Sequence, residues 1–221
     1  MTARGAVFLA ALGDDAERLH PEILAQMRVE GESDSAEGVF AVAGSRFGRL
    51  TGLASPVVGP GLLVTRFARD VPFRIDTVAG TSRSGRATLA ATREFRFPDA
   101  TQHISDRLTA TARPGILHNA LGVRGRVEML EECSVTAEGA LRMRSRAVAL
   151  RIGKSRVLLR GILRLDVDLV DGWDDGEQRR TIAMRVMSPV FGTVLEYRGW
   201  YRHADAVDRD VEDAPRSGQY E

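Results

Sequence analysis

From residue 38 onward, apolar and polar side chains alternate along short runs, the pattern of strands that bury one face. The runs cover 38–43, 62–68, 71–79, 86–97, 101–112, 125–135, 140–152, 162–170, 180–187 and 192–203. Turn-forming residues join many of them: the Gly/Ser-rich stretch 80–85, Pro98-Asp99, Glu138-Gly139 and the Asp/Gly-rich stretch 171–176. Ahead of the strands, Leu9, Leu12, Leu19, Ile23 and Met27 recur at helical spacing within residues 6–29, and Pro21 divides that segment into two short helices. His20, just before the proline, is biased toward an extended turn. Residues 30–37 read as a loop, and 47–53 as a helical turn before the breakers Pro56 and Gly59-Pro60-Gly61. Two stretches, 114–121 and 155–161, break the alternation and predict short helices crossing an open end of the sheet.

No long helix separates the strands, which excludes a doubly wound α/β fold. The expectation is a mainly β protein, an antiparallel meander closing into a barrel or half-barrel, with a short helical N-terminal segment. One domain is expected over 1–203. A flexible tail follows over 204–221, acidic through Asp205, Asp208, Asp210, Glu212 and Asp213.

Period-two alternation also assigns side chains to faces. In 86–97, Arg93 shares a face with Ala87, Leu89, Ala91, Phe95 and Phe97. In 125–135, Glu131 falls among Val127, Met129, Cys133 and Val135. Two inward charges require a partner, water or a ligand, because desolvating either alone costs several kcal/mol. Three arrangements satisfy this: a bulge that returns each charge to solvent, a structural ion pair, or a polar cluster inside a ligand cavity. In the last strand Leu195, Tyr197, Gly199 and Tyr201 share one face, so Tyr197 and Tyr201 either present phenols to a pocket or pack with satisfied hydroxyls.

Composition narrows the function. The chain of 221 residues is 43% apolar with a net charge of +1, enough for a substantial core and without a global field to collect nucleic acid. Arg142, Arg144, Arg146, Arg151, Lys154, Arg156 and Arg160 make 142–160 basic, either as the solvated face of a strand or as an anion-binding patch; no aromatics interleave it for single-strand binding. Cys133 is the single cysteine, which precludes an intrachain disulfide. The apolar run 6–12 is too short to span a bilayer, so stable membrane insertion is not expected. Asp14-Asp15 interrupts it as a signal peptide, and a cytoplasmic protein is expected.

His20, His103, His118 and His203 are scattered, and neither metal-ligand spacing nor a nucleotide loop occurs, so no metal and no cofactor is expected. Gly122 and Gly125 mark a turn. Cys133 on an apolar strand face reads as an inert filler. His118 lies in the non-alternating stretch at a barrel mouth, where it would serve as an acid or base near neutral pH.

Three segments resemble a known family: 11–23 (ALGDDAERLHPEI), 188–200 (SPVFGTVLEYRGW) and Arg93-Glu-Phe-Arg-Phe97, the last similar to a central aromatic–arginine–aromatic strand. The tryptophan that precedes that arginine in the family is absent here. The family is an uncharacterised bacterial domain of unknown function, also found fused behind saccharopine-dehydrogenase-like or epimerase-like domains. The resemblance spans most of 11–201; it implies the same fold, and the fusions imply small-molecule metabolism.

These readings lead to a small-molecule-binding β-barrel acting as a cofactor-free isomerase or cyclase on an apolar, polyketide- or terpenoid-like metabolite. Arg93 would bind a carboxylate, enol or carbonyl oxygen, Glu131 would orient Arg93 or move a proton, and Tyr197 or His118 would donate a hydrogen bond. The alternative is a non-catalytic lipid or metabolite carrier or an accessory interaction domain, with a homodimer or a partner enzyme as possible associates.

Overall fold

The computed structural model describes residues 2–48 and 60–204. The turn expected over 47–53 falls mostly outside these residues, as do Pro56, Gly59 and the acidic tail from Asp205.

The N-terminal stripe folds as α1 (Ala6–Leu12), a 3₁₀ turn (Gly13–Arg18) and α2 (Pro21–Arg28). Pro21 opens α2, where its fixed φ suits the first helical turn. His20 caps it, its Nδ1 accepting from the Glu22 amide at 3.3 Å. The stripe buries Val7, Leu12, Ile23 and Met27.

Twelve strands follow among the described residues: β1 (Ser33–Gly44), β2 (Phe67–Ala68), β3 (Val71–Thr81), β4 (Ala87–Phe97), β5 (Ala100–Ala110), β6 (Ile116–Leu121), β7 (Val127–Val135), β8 (Leu141–Ile152), β9 (Ser155–Leu158), β10 (Asp166–Asp174), β11 (Arg179–Ser188) and β12 (Gly192–His203). All but β2 and β9 form a closed ten-stranded antiparallel barrel. Strands β3 to β8 run in chain order, followed by β10, β11, β12 and β1, and β1 returns to β3. Closure removes the unpaired edges that a half-barrel would expose.

Antiparallel order sorts the connections into two ends. The turns 82–86, 111–115, 136–140 and 175–178 lie at one end, and the N-terminal helices cover it. There the Gly115 amide donates to the Ala11 carbonyl (2.8 Å) and the His20 amide to the Gly139 carbonyl (2.9 Å). The turns 98–99, 122–126, 153–154 and 189–191 lie at the other, open end.

Two features shape the barrel. Strands β1 and β12 approach closely at Gly38 and Gly199: a Cβ on Gly38 would sit 1.9 Å from the Trp200 carbonyl oxygen, and one on Gly199 2.1 Å from that of Val39. Strand β8 divides its pairing. Its first part pairs with β10 from Leu141↔Asp171 to Arg144↔Asp168, and its last part pairs with β9. Between them the wall opens, and the Val167 amide donates to Ser145 Oγ instead (2.8 Å).

Several elements differ from the sequence reading. Residues 114–121 contain strand β6, not a helix; inward Asn119, a polar residue at a core position, disguised the alternation. The stretch 155–161 is strand β9 running into a 3₁₀ turn (Gly161–Leu163). Strand β1 begins at Ser33, within the expected loop. Residues 62–66 run outside the ladder, with only Phe67–Ala68 pairing to β1. Strand β10 continues to Asp174, whose carboxylate then accepts from the Gly176 and Glu177 amides and tightens the turn.

Candidate functional site

The barrel interior is layered along its axis. Phe40, Phe73 and Phe95 stack across the middle, with Phe40 and Phe73 ring centroids 3.6 Å apart. Toward the helices, the Arg180 guanidinium donates to both Asp171 oxygens (3.1 and 2.6 Å) and to Gln26 Oε1 (3.0 Å), tying α2 to the wall. The Tyr201 hydroxyl donates to Asp171 at 2.9 Å, so this phenol takes the structural role of a satisfied core group. Asp34 pairs with His203 at 2.6 Å in the same region.

Toward the open end the interior is hollow. A cavity of about 300 Å³ has walls of Val127, Leu150, Leu165, Val186 and Leu195, with Leu62 over its upper part. That volume lies at the small end of the roughly 300–1,000 Å³ typical of ligand sites. Its base is polar and consists of Arg93, Asp106, Asn119, Glu131 and Tyr197.

Strand periodicity places each of these. On β4, Arg93 follows Leu89 and Ala91 inward; on β7, Glu131 lies between Met129 and Cys133, all three buried. Asp106 on β5 and Asn119 on β6 come from strands next to each other, and Tyr197 comes from β12. The Arg93 Nη1 donates to Asp106 Oδ1, a largely buried pair with 15% and 3% of the side chains exposed. The Asp106 charge holds the arginine ionised against its burial, which acts the other way. Of the three arrangements open to the inward charges, Arg93 takes a buried pair, with Asp106 rather than Glu131 as the partner.

Glu131 is 3% exposed. Burial pushes its carboxyl up to about 7; a hydrogen bond from the Asn119 side chain and the Arg93 charge pull it back, while Asp106 adds to the rise. Burial likewise raises the Tyr197 phenol, which stays protonated across the physiological range. Among the described residues, three buried atoms at the base lack a hydrogen-bond partner: Arg93 Nε, Asn119 Oδ1 and Glu131 Oε2. Buried polar atoms are rarely left this way, and a guest molecule or ordered water would satisfy them.

The structure thus brings Arg93, Glu131 and Tyr197 to one place, and His118 to another. His118 lies on the outer face of β6, 3.8 Å from Glu128. Cys133 is buried, its thiol pushed up to about 12, first by burial and further by Glu131, so it stays protonated. Along 142–160, Arg142 pairs with Asp168 (2.6 Å), Arg146 with Glu132 (2.8 Å) and Arg156 with Glu128, so much of this face is neutralised by neighbouring strands. Asp106 and Asn119 escaped the sequence reading. Asp106 carried a usable signal, since it shares a face with Ile104, Leu108 and Ala110. Among the described residues, no helix is long and apolar enough to cross a membrane.

Residues 19–201 match the profile of a family described as a domain of unknown function (DUF4166). No curated protein matches the chain.

Proposed function

The chain belongs to the domain-of-unknown-function family DUF4166, and from the cavity we propose that this barrel binds a small apolar metabolite and acts as a cofactor-independent isomerase or cyclase. Glu131 carries the reading: a carboxyl at the base of an apolar cavity, raised to about 7, with Oε2 unpartnered. A carboxyl held at that value both takes and returns a proton near neutral pH.

Charge at the base selects the guest's polar end. Arg93 is offset by Asp106, and Glu131 adds either no charge or one negative charge, so the base has no positive charge to spare. A carboxylate head would meet two carboxylates at the base of a mostly apolar cavity. A neutral carbonyl oxygen instead accepts from Arg93 Nε, and a neighbouring hydroxyl donates to Asn119 Oδ1. The guest we infer is a neutral oxygenated hydrocarbon, not a fatty acid.

On a β,γ-unsaturated ketone the balance closes without a co-reactant. The Glu131 carboxylate removes the α-proton, and the C–H electron pair moves into a dienolate. Its oxygen accepts hydrogen bonds from Arg93 and Tyr197. Glu131 then returns the proton to the γ-carbon, giving the conjugated enone. A cyclisation would use the same wall to hold a flexible guest in its reactive conformer.

A bicyclic β,γ-unsaturated octalone tests this, since isomerisation appears as growth of enone absorbance. Wild-type protein should accelerate it, and Glu131→Gln should slow it by roughly 10²–10⁴-fold while still binding the ketone. No turnover by the wild type, or full activity in the variant, would contradict the reading. The mostly apolar wall also supports a carrier, which would hold octalone unchanged in both proteins.

A further inference from the structure

The open end of the barrel is greasy and basic at once, a combination the proposed reaction does not use. Val123 from the β6–β7 turn, Ile152 at the β8–β9 turn, Ile162 and Leu163 from the 3₁₀ turn, and Val190 and Phe191 from the β11–β12 turn are 57–73% exposed. Single exposed apolar residues are ordinary on any surface. Here Val123, Ile152, Val190 and Phe191 protrude at or beside turns that antiparallel order gathers at the open end, and Ile162 and Leu163 protrude from the β9–β10 connection, whose Leu159 and Leu165 line the cavity.

Cations surround them. Arg124, Arg151, Lys154, Arg156, Arg160 and Arg164 are all exposed, and the stretches 122–127 and 150–165 contain no aspartate or glutamate. Carboxylates at this end are fewer and mostly engaged: Glu128 by Arg151 and Arg156, Asp166 by Arg164 at 2.7 Å and Asp99 by Arg66 at 3.0 Å, while exposed Asp70 stands next to exposed Arg69. At the helical end the exposed acids Asp14, Asp15, Glu17, Glu22, Glu138, Asp175 and Glu177 outnumber the exposed cations Arg18, Arg28, Arg83 and Arg113. A net charge of +1 therefore conceals a separation of charge along the barrel axis.

We propose that the open end docks onto the surface of a bilayer containing anionic lipid, with the cavity mouth against the membrane. Aliphatic tips enter the boundary between headgroups and acyl chains, while arginine and lysine sit at the level of the anionic headgroups. Nucleic acid would match the charge but not the tips, which offer one aromatic ring, Phe191, for stacking. The cavity wall runs up to this rim through Leu62, Leu121 and Leu150. An apolar guest dissolved in lipid would thus enter without crossing bulk water. Docking does not depend on turnover, so it stands or falls apart from the proposed reaction.

Vesicle flotation with the full chain tests it, using phosphatidylcholine alone and phosphatidylcholine mixed with phosphatidylserine. The protein should float with the mixed vesicles, less so at high salt, and should stay in solution with the neutral ones. Lys154→Glu with Arg160→Glu should weaken partitioning by roughly tenfold or more. Ile162→Ser with Leu163→Ser should weaken it too, and both pairs are exposed enough to leave the barrel folded, as circular dichroism would verify. No flotation with the mixed vesicles would overturn the proposal. So would binding insensitive to the apolar pair, or a preference for an RNA duplex lost only in the charge variant.

Discussion

Glu131 illustrates what one buried carboxyl does to a protein. Its folded value of about 7 lies above that of an ordinary glutamate, so the native state holds the proton more tightly than the unfolded chain. Stability is then fullest below about 4, declines as pH rises through about 7, and levels off above, a total loss of roughly 3 kcal/mol. Glu131→Gln removes the titration. Urea unfolding of the two proteins across pH should show the variant pulling ahead between pH 5 and 8 by roughly that amount. Parallel curves would mean the carboxyl is solvated. The residues of the base were legible in proportion to how purely they follow strand periodicity. Arg93, Glu131 and Tyr197 stand out against apolar neighbours, and Asp106 obeys the same rule on β5. Asn119 was hidden because its polarity broke the pattern that would have identified its strand. His118 followed the same misreading: once β6 is a strand, alternation turns it outward, opposite Asn119.

Among the elements, the pairing of β1 with β12 depends most on particular residues. Gly38 and Gly199 let two backbones meet where any side chain would strike a carbonyl oxygen. Gly38→Ala should force the strands apart and lower stability by roughly 2–4 kcal/mol in urea unfolding, whereas an ordinary exposed glycine-to-alanine change stays within about 1 kcal/mol. The strands were legible where one face is buried and the other wet. Legibility failed where tertiary context overrides local pattern. Residues 62–66 carry a strand-like apolar run, yet their Leu62, Leu63 and Val64 are apolar because they line the cavity, not because they pair. Strand β9 is exposed along its length, so no buried face marks it.

For the whole molecule, closure and hollowness go together. A ten-stranded ring is wider than its aromatic middle can fill, and the helices occupy only one end. The division of β8 between β10 and β9 spreads the wall at the other end, so the interior opens toward the basic, apolar rim. Closure itself could not be read from sequence, because the pairings of β8 with β10 and β1 with β3 join residues 24 or more positions apart, with no local signal. The whole-molecule arrangement predicts an ionisable group shielded from water at the floor of that hollow. Carboxyl carbon NMR of glutamate-labelled protein, with Glu131 assigned through Glu131→Gln, measures this directly. A midpoint near 7 is expected for that resonance; a midpoint close to 4.3, the usual value for a solvated glutamate, would mean that the carboxyl is not buried in the hollow.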